Sequence, residues 1–299
     1  MTRPRPSTLK PLRSVLYMPG SNERALEKAK TIAADAVIFD LEDAVAPDAK
    51  PAARDAAAAA VRSGEYGGRE LIIRVNGIGT EWHDDDLEAA AAAGPDVVLV
   101  PKVNSAEEVR RLVDALAAAG APDRTKLWAM IETPIAMLNA LSIAQASERL
   151  TGFVMGTNDL VKELYAEHVP GRQPVVTGLG LALLAARAAG IVIIDGVYND
   201  VKDLDGFLAE VEQGRQMGFD GKTLIHPGQV EGANEGFSPS EQAVEDARGL
   251  IQAWEEGRAR SQGVSGVVTY NGRMVENLHV ESAKRTLAIA DAIASLQQA

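Results

Sequence analysis

The chain has 299 residues, 46% of them hydrophobic and 24% charged, and it contains no cysteine. Such a chain folds around one large core or two ordinary ones, and it cannot form disulfides, thiolate zinc sites or cysteine nucleophiles. The formal net charge of -12 argues against a nucleic-acid partner, because phosphate binding needs a basic surface. We find no apolar run long enough to span a membrane and no signal peptide, and we expect a cytoplasmic protein.

The first thirty residues are basic, unlike the rest of the chain. They hold seven Lys and Arg against two Glu, a local charge of +5. This end of the chain could attract an anionic small molecule, or it could be a solvated tail followed by an ordinary helix face.

Eight short apolar runs, many of them β-branched, alternate with Ala- and Leu-rich amphipathic stretches along the chain. Continuous apolar runs are typical of parallel strands buried on both faces, and the stretches between them fit the crossover helices that parallel strands need. Eight such units predict an α/β fold, a (β/α)8 TIM barrel, with an open doubly wound sheet as the alternative. The predicted strands are 14–20, 36–43, 70–76, 96–102, 127–133, 152–159, 191–197 and 222–228.

The pattern changes after Pro227, and the predicted barrel domain spans 1–235. A helix opens at a Ser-Pro-Ser cap with Glu241 in its first turn, and a last helix begins near Val280. Residues 236–299 are few for an independent domain. We therefore expect a C-terminal extension that packs over a barrel mouth or onto a neighbouring subunit.

Polar side chains are concentrated where the predicted strands end, which in such a barrel is the face that carries the chemistry. Carboxylates outnumber bases there, so they would repel one another unless a cation lay among them. Oxygen ligands without cysteine or paired histidine favour Mg²⁺, or Mn²⁺, over zinc. The residues at the strand ends are Asp40, Glu42, Asp43, Arg74, Asn76, Lys102, Glu132, Asn158, Asp159, Asp195 and His226.

Glu132 and Asp159 are the predicted metal ligands. They follow the fifth and sixth predicted strands, and two carboxylates with water leave room for a substrate to chelate Mg²⁺. Either residue alone could instead be a helix N-cap or a surface acid.

Arg74 lies in an apolar strand, and its planar guanidinium can grip a substrate carboxylate through two hydrogen bonds. It could also form an internal ion pair with Asp40 or Glu42, and the two roles are compatible. Lys102 could enter the pocket or extend into solvent. For His226 we expect a hydrogen bond behind the site rather than metal ligation. The histidines expected on the surface or in loops are His83, His168 and His279.

Two further segments carry no predicted function. The segment "GLGLAL" (178–183) lacks the third glycine of a dinucleotide fingerprint and follows no strand. The segment "HDDDL" (83–87) is typical of an acid-rich helix start rather than of a calcium loop.

Nine ordered motifs run along nearly the whole chain: "RSVLYMPGSNERALEKA", "DAVIFDLEDAVAP", "IIRVNG", "VVLVPKV", "AMIETPIAM", "GTNDL", "GFDGKTLIHPGQV" with Asn234, "FSPS" and "YNGRMVE". Together they resemble the HpcH/HpaI aldolase and citrate lyase β-subunit superfamily, and are most similar to its branch of citrate lyase β-like proteins and malyl-CoA lyases. The resemblance implies a (β/α)8 barrel with a C-terminal extension, assembled as a homo-trimer or hexamer. It also implies Mg²⁺-dependent cleavage or formation of a carbon–carbon bond next to a thioester.

Residue by residue, the resemblance makes Glu132 and Asp159 the metal ligands and Arg74 the clamp on the substrate's carboxylate. It places Arg24 and Lys28, in the basic first thirty residues, along the path of the CoA phosphates and adenine. The acids expected behind the site, holding Arg74 or water on the metal, are Asp40, Glu42 and Asp43.

Two positions depart from the family pattern. The family's tail motif carries an Asp that reaches over a neighbouring subunit's mouth as acid or base, and this chain has Glu276 there. Many members have Glu-Asp at the second metal ligand, whereas here Asn158 precedes Asp159. Glu276 is the candidate for the corresponding acid or base. Its side chain reaches about one bond further, so the role could be retained, displaced or lost.

The resemblance implies a lyase that acts on a 3-hydroxyacyl-CoA such as malyl-CoA or citramalyl-CoA. Two alternatives remain open. One is a metal-dependent aldolase that acts on free 4-hydroxy-2-oxoacids, and the other is a lyase subunit that needs an acyl-carrier partner.

Overall fold

A computed structural model describes residues 10–260 and 267–298. The chain forms two compact units, one at Leu12–Phe237 and one that begins at Ser238 and also includes Lys10 and Pro11. None of the helices in the described ranges is long and apolar enough to cross a membrane.

The first unit is a closed barrel of eight parallel strands, in which β1 pairs with both β2 and β8. All eight predicted strands are confirmed, and the TIM-barrel prediction is correct. Each strand ends earlier than predicted, because the predicted runs included the first residues of the following loop. The strands are β1 Ser14–Pro19, β2 Ala36–Asp40, β3 Glu70–Arg74, β4 Val97–Val100, β5 Lys126–Ile131, β6 Leu150–Met155, β7 Val192–Asp195 and β8 Gly221–Leu224.

Helices follow every strand of the barrel, and the connection between β6 and β7 contains two. The segment "GLGLAL" lies inside the second of these two helices and therefore forms no phosphate-binding turn. The helices of this unit are α1 Glu23–Ala29, α2 Lys50–Ser63, α3 His83–Ala93, α4 Ala106–Ala118, α5 Pro134–Ala144, α6 Thr157–Glu163, α7 Gln173–Ala189, α8 Leu204–Met217 and α9 Val230–Phe237.

Side chains alternate along each strand between the inside of the barrel and the layer of helices. Ile38, Ile72 and Met130 belong to a buried cluster that fills the barrel, whereas Val37 and Phe39 belong to the larger cluster between strands and helices. The same alternation points Asp40 and Arg74, the last residues of β2 and β3, toward the barrel axis at the carboxyl end of the strands.

The start of α5 fixes where β5 stops. Thr133 is the N-cap: its side chain accepts a hydrogen bond from Ala136 N at 3.1 Å, and Pro134 occupies the first helical position, where its missing N–H costs nothing. Glu132 therefore stands between strand and helix without capping the helix, which rules out the N-cap interpretation of its carboxylate.

The second unit has a small core of its own around Trp254, Val275 and Val280. Its first helix starts as predicted, with Ser240 Oγ accepting a hydrogen bond from Ala243 N at 3.1 Å. The elements are α10 Glu241–Arg260, β9 Val268–Tyr270, β10 Arg273–Val275 and α11 Asn277–Gln298, and the two short strands pair antiparallel.

Candidate active site at the carboxyl ends of the strands

Glu132 is buried directly after β5, with 2% of the residue exposed. Its Oε1 accepts a hydrogen bond from the backbone N of Lys102 at 2.7 Å. On the other side it lies against Gly156, where an added Cβ would meet Oε2 at 2.2 Å. The carboxylate is thus fixed from the β4 and β6 sides of the barrel.

Asp159 lies in the first turn of α6, directly after β6, with its side chain 26% exposed. The Nζ of Lys102 lies 3.6 Å from its Oδ1. Lys102 adopts a φ of 53°, in the left-handed region, and it contacts both predicted ligands, one through its backbone and one through its ammonium group. Of the two open interpretations of Lys102, the structure supports the one in which the side chain enters the pocket.

Burial and neighbouring acids raise the pKa values of Glu132 and Glu42. Burial raises the pKa of Glu132 to about 8, and the nearby charges of Glu42 and Asp159 add to the effect. Burial also raises the pKa of Glu42 to about 7. A divalent cation would offset this repulsion, and carboxylate oxygens are the ligands that Mg²⁺ prefers.

Within residues 10–260 and 267–298, no group of three or more His, Asp and Glu side chains lies close enough to hold one ion. Glu132 and Asp159 would therefore supply two ligands, and water and substrate the others. This is an ordinary arrangement for Mg²⁺, which keeps several waters and binds through one or two carboxylates. The donor set fits the metal.

Arg74 is held by two carboxylates at the carboxyl end of the barrel. Its Nε and Nη2 donate to Asp40 at 2.6 and 2.7 Å, and its Nη1 lies 2.8 Å from Glu42 Oε2. The guanidinium also stacks over the ring of Tyr17, 4.8 Å from its centroid. Asp43 lies further away, at 3.5 Å, with its side chain 72% exposed. The predicted internal ion pair is present, and a grip on substrate remains a prediction.

A second polar network lies behind the β2 and β3 ends. Lys50 Nζ donates to Asn76 Oδ1 at 2.7 Å and to the carbonyls of Leu41 and Glu42 at 2.8 and 2.9 Å. Asn76 in turn donates from its backbone to the buried carboxylate of Asp86 at 3.0 Å. The sequence reasoning missed Lys50 and Asp86, because both lie in helix-forming stretches that look solvent-exposed. These bonds fix the backbone that carries Glu42.

A cavity of about 420 Å³ opens beside this network. Glu42 and Lys102 connect it to the acid cluster, by which we mean Glu42, Glu132 and Asp159. Trp82 and Ile78 add apolar surface. The lining residues are Glu42, Asp43, Lys50, Asn76, Gly77, Ile78, Thr80, Trp82, Lys102, Asn104 and Glu108.

Asp195 does not join the other strand-end acids, and this part of the prediction is wrong. In β7 the alternation places Ile194 inside the barrel and Asp195 outside. There Arg172 Nη1 donates to its carboxylate at 2.7 Å and Lys222 Nζ at 3.1 Å. These cations outweigh burial and lower the pKa of Asp195. Asp195 is therefore a paired structural charge.

Two histidine predictions need correction. His83 is buried, not on the surface, and its Nδ1 lies 2.8 Å from the backbone oxygen of Asn76. Among the residues that the structure describes, the side chain of His226 bonds only within its own turn, where Nδ1 accepts from Gly228 N at 3.1 Å. It stands exposed after β8 and bonds to none of the described site residues, contrary to the expected hydrogen bond behind the site.

Three further predicted residues belong to other elements of the chain than those that carry Glu42, Glu132 and Asp159. Arg24 and Lys28 are exposed one turn apart on α1, which follows β1 at the same end of the barrel. Glu276 is exposed at the start of α11 in the second unit, and its backbone N donates to His279 Nδ1 at 3.0 Å.

The chain belongs to the HpcH/HpaI aldolase/citrate lyase family, whose profile matches residues 13–227. A Cereibacter sphaeroides protein named (3S)-malyl-CoA thioesterase is 56% identical over 285 residues, which cover 95% of this chain and 96% of that protein. The citrate lyase subunit beta of Escherichia coli is 37% identical over 284 residues, 93% of each chain.

Among solved structures, protein CitE from Mycobacterium tuberculosis in complex with magnesium, acetoacetate and coenzyme A is similar with a TM-score of 0.74. It is 29% identical, and the match covers 94% of this chain and 98% of that one. The predicted family is confirmed, and magnesium is bound by a member of it.

Proposed function

We propose that this protein is a cytoplasmic Mg²⁺-dependent enzyme that acts on (3S)-malyl-CoA or a closely related 3-hydroxyacyl-CoA, hydrolysing the thioester to the free hydroxyacid and CoA. The observation that carries the proposal is the pair of acids, Glu132 and Asp159, beside a buried arginine at the carboxyl end of the barrel. The 56% identity to a malyl-CoA thioesterase over nearly the full chain favours hydrolysis.

Each group of the site has a part in binding such a substrate. Glu132 and Asp159 would hold Mg²⁺, which when bound acts as a Lewis acid on a coordinated carbonyl oxygen. Arg74 presents a guanidinium whose orientation is fixed by Asp40, and it would attract the substrate's free carboxylate. Glu42 lines the cavity with a pKa of about 7, so at neutral pH it can accept or donate a proton.

A second candidate reaction is carbon–carbon cleavage of the same ester, which would release a 2-oxoacid and a shorter acyl-CoA. The 37% identity to a citrate lyase subunit over 93% of the chain favours it. In that reaction a base, for which we propose Glu276 of a neighbouring subunit, removes the proton of the 3-hydroxyl group. We also propose that the second unit acts as a lid and that the chain assembles as a homo-trimer or hexamer. Light scattering of the purified chain tests the assembly.

The test follows purified protein and Mg²⁺ with malyl-CoA, citramalyl-CoA and free 4-hydroxy-2-oxoacids, assaying free thiol and 2-oxoacid separately. Thiol release without 2-oxoacid, abolished by EDTA, supports the thioesterase. Release of 2-oxoacid from a CoA ester without thiol supports the lyase, and release only from a free acid supports an aldolase. If no substrate reacts until an acyl-carrier protein is added, the chain is a lyase subunit.

A matched control separates the site from general damage to the protein. Glu132→Ala and Asp159→Ala should each lose all Mg²⁺-dependent turnover and remain folded. Asp48→Ala removes an exposed acid outside the cluster, and it should retain wild-type activity. Near-normal turnover in either ligand variant would overturn the metal assignment.

A further inference from the structure

Two glycines form close contacts around the start of α6, the helix that carries Asp159. Gly156, the residue before the helix, faces Glu132, and its added Cβ would meet the Glu132 Cβ at 2.3 Å. Gly196, the residue after β7, faces Thr157, the first residue of the helix. An added Cβ at Gly196 would meet Thr157 Oγ1 at 2.5 Å and Cγ2 at 2.7 Å. The start of α6 is therefore wedged between Glu132 and Gly196.

The backbone of Gly196 cannot move away from Thr157 freely, because buried charged side chains bind both its N–H and its carbonyl group. Its N–H donates to Asp195 Oδ1 at 2.8 Å, and its carbonyl accepts from Lys222 Nζ at 2.6 Å. Asp195 and Lys222 are both fully buried, and Lys222 Nζ also donates to Glu210 Oε1 at 2.6 Å. Moving Gly196 would break charge-assisted bonds in a place that water does not reach.

Glu132, which lies on the other side of the start of α6 from Gly196, is equally constrained. Glu132 is fixed by the backbone N of Lys102 at 2.7 Å and by its contact with Gly156. Asp159 follows Thr157 by two residues on the same helical turn. A shift of Thr157 away from Gly196 would therefore tilt α6 and change the separation between the carboxylates of Asp159 and Glu132.

We propose that Gly196, held by Asp195 and Lys222, is a positioning residue that sets the separation between the two proposed metal ligands. The inference rests on the proposed Mg²⁺ site and deepens it. The buried ion network on the outer side of β7 and β8 thereby controls metal affinity at β5 and β6 without touching the metal. Because the φ of Gly196 is not in the left-handed region, its own backbone conformation permits a side chain, which is opposed by the two atoms of Thr157 and more weakly by Met155 O at 3.1 Å.

The test is the variant Gly196→Ala, measured by the Mg²⁺ concentration that gives half of the metal-induced rise in melting temperature. We expect this concentration to rise about 10- to 100-fold, the range seen when groups that orient metal ligands are altered. Gly180→Ala is the matched control, because Gly180 lies in α7 and its added Cβ meets no atom within 4 Å. It should respond like wild type.

Rescue distinguishes positioning from general damage. The double variant Gly196→Ala/Thr157→Ala removes both clashing atoms, and it should restore the Mg²⁺ response to within about threefold of wild type. If Gly196→Ala does not fold, the comparison is between Thr157→Ala and the double variant. In the double variant the added methyl group at position 196 fills the space that the Thr157 side chain leaves, so this variant should bind Mg²⁺ more tightly than Thr157→Ala.

Two outcomes overturn the inference. The positioning role is ruled out, with the metal site left intact, if Gly196→Ala responds to Mg²⁺ like wild type. It is also ruled out if the double variant needs as much Mg²⁺ as Gly196→Ala, or as Thr157→Ala where Gly196→Ala does not fold. If wild-type protein shows no Mg²⁺ response, or Glu132→Gln shows an unaltered one, the proposed function fails and the inference falls with it.

Discussion

The guanidinium of Arg74 and the carboxylate of Asp40 face each other inside the barrel and share two parallel hydrogen bonds of 2.6 and 2.7 Å. Both side chains are almost fully buried. Asp40 also accepts hydrogen bonds from the backbone N of Glu42 and Ala44, each at 3.0 Å. One carboxylate therefore orients the proposed substrate clamp and shapes the loop that carries Glu42.

Asp40→Asn should destabilise the protein by about 3–5 kcal/mol, because it removes the carboxylate that pairs with Arg74 through two hydrogen bonds and leaves Glu42 as the nearest counter-charge of a buried arginine. Urea unfolding measures the loss. Glu42→Gln is the matched comparison: it keeps the two bonds to Asp40 and loses one ion-pair contact, so its loss should be about 1–2 kcal/mol. Equal losses in the two variants would contradict the dominant role of Asp40.

Asp195→Asn should cost about 3–5 kcal/mol at neutral pH, because Lys222 and Arg172 would lose their shared buried partner. Since the fold lowers the pKa of Asp195, its stabilising contribution is complete above the unfolded pKa of about 3.9 and is lost as pH falls through the lower folded value. The stability difference between wild type and variant should therefore shrink below about pH 4.

Urea unfolding over a pH series checks this dependence. Asp48→Asn, an exposed acid, serves as the control and should differ from wild type by less than about 0.5 kcal/mol throughout. A stability difference for Asp195→Asn that stays constant down to acid pH would show that its charge is not what stabilises the network.

Glu132→Gln and Asp159→Asn should each abolish the rise in melting temperature that Mg²⁺ gives wild-type protein, because a neutral amide is a poor ligand for this ion. Differential scanning fluorimetry with and without Mg²⁺ measures it. Without metal, both variants should melt within a few degrees of wild type. An undiminished Mg²⁺ response in either would place the ion elsewhere.

Glu276→Gln should lower kcat about 10²- to 10⁴-fold if the residue transfers a proton, while the Mg²⁺ response stays unchanged. Steady-state kinetics at saturating CoA ester measures kcat. Glu276→Asp keeps the acid on a shorter side chain, and it should retain more activity than the amide. Glu281→Gln removes an exposed acid on α11, the helix that follows Glu276, and serves as the control. If the kcat of Glu276→Gln equals that of this control, Glu276 is not a base.

Arg24→Ala and Lys28→Ala should each raise KM for a CoA ester about tenfold, since a charge-assisted hydrogen bond to phosphate contributes about 1.5 kcal/mol. The effect should weaken at high salt, because exposed charges are screened. Arg110→Ala removes an exposed arginine on α4 and should leave KM unchanged. An unchanged KM in both α1 variants would place the CoA phosphates on another surface.

The barrel could be predicted from sequence because its signal is local. Each strand is a short apolar run bounded by turn residues, and eight of them at regular spacing admit few other folds. Glu132 and Arg74 could be selected as candidates for the same reason, because a charged residue at the end of an apolar run is unusual; Asp159 follows its run by four residues, and the roles of all three stay predictions.

The ion pair of Arg74 with Asp40 could be predicted because both residues stand at strand ends, whereas the partners of Asp195 could not, because Lys222 lies within β8 and Arg172 lies directly before α7. Asp195 is paired with Arg172 and Lys222, which lie 23 and 27 residues away. Alternation could have shown that Asp195 points away from the barrel axis, but β7 has only four residues, too few to fix the inward face. Gly156 and Thr157 lie in the motif "GTNDL", but Gly196 lies in none of the nine motifs, and no sequence pattern marks its close contact with Thr157.

Lys102 already neutralises part of the acid cluster, with its backbone on one proposed ligand and its ammonium 3.6 Å from the other. An arriving divalent ion would have to compete with this tethered charge, so some of its binding free energy goes into displacing it. The ion would then be an exchangeable component, loaded after folding and removed by a chelator without unfolding the barrel. Its occupancy would follow the free Mg²⁺ concentration around the protein.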